Sequence, residues 1–131
     1  MYGEASLSER LERLLRFMSY DCPGVEAAAL VSYDGLIMAS SLEGGADEDR
    51  VAAMSAALLS VAEKIGAELD RGEFETALVS GSKGFVIVKP VNGDALLVVL
   101  AGKNSKLGLI KYEMSRIGRM LAEELERSGY G

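Results

Sequence analysis

Apolar positions along the chain recur with two periods, and each periodic stretch ends at a turn signal. From Leu7 to Tyr20, apolar residues stand at Leu7, Leu11, Leu14, Leu15 and Met18, with Glu9, Arg10, Glu12, Arg13 and Arg16 between them. That spacing predicts an amphipathic helix. Ser6 followed by Glu9 is a capping-box pattern, and Pro23-Gly24 ends the helix. Val25–Ser32 is apolar except for Glu26, as in a strand covered on both faces. Asp34-Gly35 is a hairpin signal, so Leu36–Ser41 is the antiparallel return strand. Leu42–Ala46, with Gly44-Gly45, reads as a loop.

Asp47 caps a long second helix to about Arg71, with Glu48 and Asp49 in the first turn, where the helix dipole favours anions. Val51, Met54, Leu58, Val61, Ile65 and Leu69 form one stripe, expected to pack on the sheet. Beside it run Ala52, Ser55, Leu59, Ala62 and Gly66, mostly small. A ridge of small residues lets another helix approach closely, although alanine is also simply a good helix former. The combined apolar arc is wider than one sheet contact requires.

Three strands follow as a meander. Glu73–Ser80 is the most polar and is expected at an edge, with Phe74 and Thr76 on one side and Glu73 and Glu75 on the other. Gly81-Ser82-Lys83-Gly84 is the next turn, followed by Phe85–Lys89, and Asn92-Gly93 is a second hairpin signal. Asp94–Ala101 contains the unbroken apolar run Ala95–Ala101, as in a central strand. Asn104 or Ser105 then caps a third helix, from Lys106 to about Ser128. Its buried stripe is Leu107, Ile110, Met114, Ile117, Leu121 and Leu125, and Gly129 can end it. The order is helix, two strands, helix, three strands, helix. This predicts a three-layer α+β domain with a five-stranded antiparallel sheet and helices on both faces. One domain is expected over residues 1–131, ordered from about 6 to 128.

Composition narrows the function. A chain of 131 residues supports one core. Lysine and arginine number 14 against 20 acidic residues, and 14 − 20 gives a net charge of −6. That balance suits neither nucleic acid nor an anionic membrane surface. The chain has no histidine, which excludes His-based catalytic schemes and His-ligated zinc. The single cysteine, Cys22, permits no internal disulfide or thiolate cluster. The start resembles no signal peptide, and the uncharged run Val51–Ala62 is too short to span a bilayer. A soluble, cytoplasmic protein without a metal or cofactor is expected.

Few residues suggest chemistry. Gly81-Ser82-Lys83-Gly84 has the G-x-x-G form of a nucleic-acid-binding KH loop, but it joins strands, and a hairpin turn is the better reading. Gly102-Lys103-Asn104-Ser105 lacks the spacing of a phosphate loop, leaving an ordinary helix start. Asp47, Glu48 and Asp49 have capping and dipole roles, with no opposing carboxylate. Arg10, Arg13 and Arg16 form a face interspersed with Glu9 and Glu12, as in a solvated, self-paired surface. Arg50 as an arginine finger in trans ranks below a structural ion pair. Cys22 reads as a small buried hydrophobe.

The chain therefore offers no nameable active site, but an edge strand and a second apolar helix face. Such surfaces need covering. Two-fold pairing with a second copy is the simplest cover, through Ala52, Ser55, Leu59, Ala62 and Gly66 of the second helix and Phe74, Thr76, Leu78 and Ser80 of the edge strand.

The stretch Gly24-Val25-Glu26-Ala27-Ala28-Ala29-Leu30-Val31-Ser32-Tyr33-Asp34-Gly35-Leu36-Ile37-Met38-Ala39-Ser40 resembles the opening hairpin of the roadblock family, named after a dynein light chain. The Asp47–Leu69 helix, the meander with Asn92-Gly93, and Leu107-Gly108-Leu109-Ile110-Lys111-Tyr112-Glu113-Met114 extend the likeness over nearly the whole chain, the last segment being especially like prokaryotic members. The resemblance implies a roadblock/profilin-like fold and a homodimer with a continuous sheet. It also implies a non-catalytic platform that binds and regulates or scaffolds a small Ras-like GTPase. By analogy, Asp47, Arg50, Ala53 and Ala57 are candidate GTPase contacts. The rival reading is an adaptor or ligand-sensing domain in a kinase or receptor system. An enzyme and a nucleic-acid module stand behind it.

Overall fold

The computed structural model describes residues 5–42 and 47–129. Helix α1 (Leu7–Asp21) opens with the expected capping box. The Ser6 hydroxyl accepts from the Glu9 N–H at 3.1 Å, and the Glu9 carboxylate accepts from the Ser6 N–H at 2.9 Å. Leu11, Leu14, Leu15 and Met18 are its buried face. Strands β1 (Val25–Ser32) and β2 (Ile37–Ser40) pair antiparallel around the Asp34-Gly35 turn. Helix α2 (Glu48–Glu68) is capped by Asp47, whose carboxylate accepts from the Arg50 N–H at 3.1 Å. Gly35, at φ +86°, makes the turn and lies so close to α2 that an added Cβ would stand 3.5 Å from the Ala53 Cα. Beyond Leu42, the loop expected over Leu42–Ala46 falls outside the described residues, as do the ends of the expected 1–131 span.

The meander is β3 (Ala77–Gly81), β4 (Gly84–Pro90) and β5 (Ala95–Gly102). The strand expected from Glu73 begins only at Ala77, so Phe74 and Thr76 precede it. The Asn92 side-chain oxygen accepts from the Asp94 and Ala95 N–H groups at 2.8 and 2.9 Å, closing the turn before β5. Helix α3 (Leu107–Arg127) starts at Lys106 without a side-chain cap. The expected cap from Asn104 or Ser105 does not form. The Ser105 hydroxyl instead lies against Gly24, where an added Cβ would be 2.1 Å from its oxygen.

The five strands form one antiparallel sheet in the order β2-β1-β5-β4-β3. The apolar strand β5 is central and β3 is an edge, as expected. Helices α1 and α3 share one face, where Leu15, Met18, Ile110, Met114, Ile117 and Leu121 meet Leu30, Ile87, Leu97 and Val99. Ion pairs tie the two helices together: Arg10 to Glu124 at 2.6 Å and Arg116 to Asp21 at 2.8 Å. Helix α2 is the element that covers the other face among the described residues, over Ala29, Val31, Val88, Leu96 and Val98. This is the expected three-layer α+β architecture.

Candidate functional site

The faces of α2 are the reverse of the expected assignment. The small-residue ridge packs on the sheet: Ala52, Ser55 and Leu59 are buried there, and Ala62 and Gly66 are partly buried. The large-residue stripe looks outward, with Met54 63%, Val61 57%, Ile65 53% and Leu69 64% exposed. Only Val51 and Leu58 of that stripe are partly covered. Small side chains at the contact let the α2 backbone settle close to the sheet, and the bulkier residues are then carried to its flank. Ala52, Ser55 and Leu59 are thus occupied by the chain's own core, and the apolar surface offered outward belongs to their larger neighbours.

That flank faces the β3 edge. Val79 of β3 pairs with Val86, and Val86 with Leu100, all on the α2 side of the sheet. With Val51, Met54 and Leu58 they line an apolar groove of about 300 Å³. A second hollow of about 300 Å³ continues along Val61, Ile65 and Leu69. Leu78 and Ser80 face the opposite side of the sheet. Leu78 pairs with Ile87 of the α1–α3 core, and the Ser80 hydroxyl accepts from Lys103 at 2.9 Å. The Lys103 ammonium also lies 4.5 Å from the Phe85 ring centre. Phe74 packs on the α2 side and Thr76 is partly buried. Alternation does not carry from Phe74 to Ser80, because the first three residues of that stretch are not in the strand. The four residues expected on one edge face are therefore split between two.

Among the GTPase candidates, Asp47, Arg50, Ala53 and Ala57 are all exposed. Asp47 is engaged as the α2 cap. Ala53 borders the Gly35 turn. Arg50 and Ala57 lie about half a helical turn from the buried ridge, facing away from the sheet. Met54, Val61, Ile65, Leu69 and Val79 are surface residues that the spacing alone does not reveal. The available signal was the excess width of the α2 apolar arc. It was misassigned because bulky apolar residues are usually the buried ones.

The remaining chemistry is structural. Cys22 is fully buried at the end of α1. Burial first, and then the Glu113 and Asp21 carboxylates, push its thiol pKa up, which keeps it protonated and unreactive. Glu48 accepts a hydrogen bond from the Ser40 hydroxyl. Arg10 is committed to Glu124 and the Ala5 carbonyl. Gly81 and Gly84 flank a two-residue hairpin turn at Ser82-Lys83. Among the described residues, no group of three or more acidic or cysteine side chains is placed to hold a metal ion.

The family model for the Roadblock/LC7 domain matches residues 13–101. Two uncharacterized proteins of Methanocaldococcus jannaschii, MJ0310 and MJ1340, are each 36% identical over 93 residues, covering 71% of this chain and 81% of their own. Three solved structures share the fold. A Roadblock/LC7 domain from Streptomyces avermitilis is 24% identical, with a TM-score of 0.78, covering 89% of this chain and 95% of that one. Myxococcus xanthus MglB is 19% identical, with a TM-score of 0.83, over 97% and 94%. An MglB described with a tetrameric arrangement is 19% identical, with a TM-score of 0.85, over 96% and 95%.

Proposed function

Because this chain belongs to the Roadblock/LC7 domain family, we propose that it is a homodimeric, non-catalytic platform that binds and regulates or scaffolds a small Ras-like GTPase in the cytoplasm. The observation that carries this reading is the apolar flank of α2 beside the β3 edge, where Met54, Val61, Ile65 and Leu69 are each more than half exposed. A patch of that kind is unfavourable in water and marks an interaction surface. A second copy related by a two-fold axis covers the flank and the strand edge together. The tetrameric arrangement of a structurally similar MglB supports self-association of this fold. The GTPase partner follows from the family resemblance.

Regulation then works by positioning. The dimer shifts the GTPase between conformations only as far as it binds one of them better. The outward residues Arg50, Ala53 and Ala57, with Asp47 at the helix start, are the contacts we assign to it. No helix among the described residues is long and apolar enough to cross a membrane. The test is retention of GTPases on the immobilised protein, in parallel with GDP and a non-hydrolysable GTP analogue, alongside the mass of the free protein in solution. A dimer that holds a GTPase in one nucleotide state supports the proposal. A monomer at tens of micromolar removes the platform, and a dimer that retains no GTPase removes the partner. Arg50→Ala is expected to weaken GTPase binding but to leave hydrolysis in the saturated complex unchanged, since the platform supplies no finger.

A further inference from the structure

We propose that the outer edge of β2, with the groove between it and α1, is a second docking surface, fitted to an extended, basic partner segment with apolar residues at alternate positions. β2 ends the sheet, and among the described residues no strand pairs with its outer side. A terminal strand presents free N–H and C=O groups that an added strand satisfies. Lysine and proline are the common guards of such edges, and β2 (Ile-Met-Ala-Ser) contains neither.

Beside this edge opens a groove of about 800 Å³, against about 300 Å³ for the groove on the α2 flank. Its apolar lining comes from Leu7 and Leu11 of α1, Ile37 and Met38 of β2, and Leu36, which is 66% exposed. Alternate side chains of an added strand point to one face, so every second residue enters the groove.

The rim selects the charge. Asp34 and Asp94 both line the groove and are exposed, and among the described residues no lysine or arginine lines it. Tyr33, which also lines the groove, has its phenol pKa pushed up by burial first, then by the Glu63 carboxylate of α2 and by Asp94 of the rim. The nearest lysine on the meander, Lys89 of β4, pairs with Leu97 of β5 and sits three strands in from the β2 edge. Basic residues at the outward positions of the incoming segment complement this rim, and acidic ones are repelled.

This surface is independent of the proposed dimer contact. Four strand spacings, about 19 Å, separate β2 from the β3 edge. A dimer joined through β3 leaves one groove open at each end of the combined sheet.

The test is amide chemical-shift mapping on the whole protein with an eight-residue peptide alternating lysine with valine. Two control peptides replace the lysines by glutamate or alternate valines by proline. Saturable shifts confined to Leu7–Leu11 and Leu36–Ser40, seen with the lysine peptide and lost with both controls, support the proposal. The double variant Asp34→Asn/Asp94→Asn should bind the lysine peptide about fivefold more weakly, the effect of two exposed charge pairs. It is expected to fold normally, since both positions are exposed. Absence of saturable shifts at millimolar peptide, shifts on α2 instead, or equal binding of the glutamate peptide overturns it. The solution mass measured on the same sample keeps this outcome separate from the fate of the dimer.

Discussion

Ile65 is the most direct probe of the α2 flank. It is 53% exposed in the protomer. Full burial of an isoleucine side chain is worth about 1.5–3 kcal/mol, so covering the exposed half is worth roughly 1–1.5 kcal/mol. A two-fold contact counts the residue twice, so Ile65→Ala should weaken the dimer by about 2–3 kcal/mol, or roughly 30- to 150-fold in Kd. Ile65→Asp adds a desolvated carboxylate on each side and should leave monomer throughout the accessible concentration range. The protomer itself should tolerate the change. The site is exposed, and the helix-propensity and dipole penalties together stay at about 1 kcal/mol or less. The assay is sedimentation equilibrium from submicromolar to 100 µM, paired with thermal melts of each variant. Leu59→Ala is the counter-test. Leu59 is 2% exposed, so its truncation should destabilise the protomer by about 2–5 kcal/mol without changing the dimer constant of the folded protein. An Ile65→Asp protein with the wild-type dimer constant would refute the flank as the contact. Dissociation by Leu59→Ala with an unchanged protomer melt would show that the small-residue ridge, not the bulky one, meets the partner.

Two further outcomes follow from the packing. Gly84 begins β4 against β5, and an added Cβ there would lie 2.5 Å from the Ala101 carbonyl oxygen. Gly84→Ala must therefore displace backbone, and it should cost about 2 kcal/mol or more in chemical denaturation; a wild-type midpoint would contradict this. Cys22 should react negligibly with a thiol reagent at pH 8 in the native state and rapidly in denaturant. Its raised pKa stabilises the fold fully below the thiol's ordinary value of 9.0, and this contribution falls away as pH rises beyond it. A native thiol that reacts as fast as the unfolded one would contradict its burial.

Local chemistry made much of the fold legible. The capping box at Ser6–Glu9, the Asp47 cap, and the turns at Asp34-Gly35 and Asn92-Gly93 each depend on residues close in sequence, and each forms. The placement of β5 at the sheet centre was readable too, because an unbroken apolar run suits a strand covered on both faces. The start of β3 was less legible. Glu73–Thr76 alternates like a strand, yet pairing with β4 begins only at Ala77, opposite Val88. Ser105 looked like a helix cap until its hydroxyl was drawn against Gly24, a residue distant in sequence.

The sequence by itself determined the order of helices and strands, most of their ends, and the presence on α2 of more apolar surface than one contact uses. Only the tertiary structure decided the rotation of α2 and the faces to which Val79 and Leu78 turn. A period of 3.6 or 2 states which residues share a face, but not which layer that face will meet. The close approach of α2 to the sheet selected Ala52, Ser55 and Leu59 for the contact. The same rotation left Met54, Val61, Ile65 and Leu69 in solvent, as the surface on which the proposed partner contacts depend.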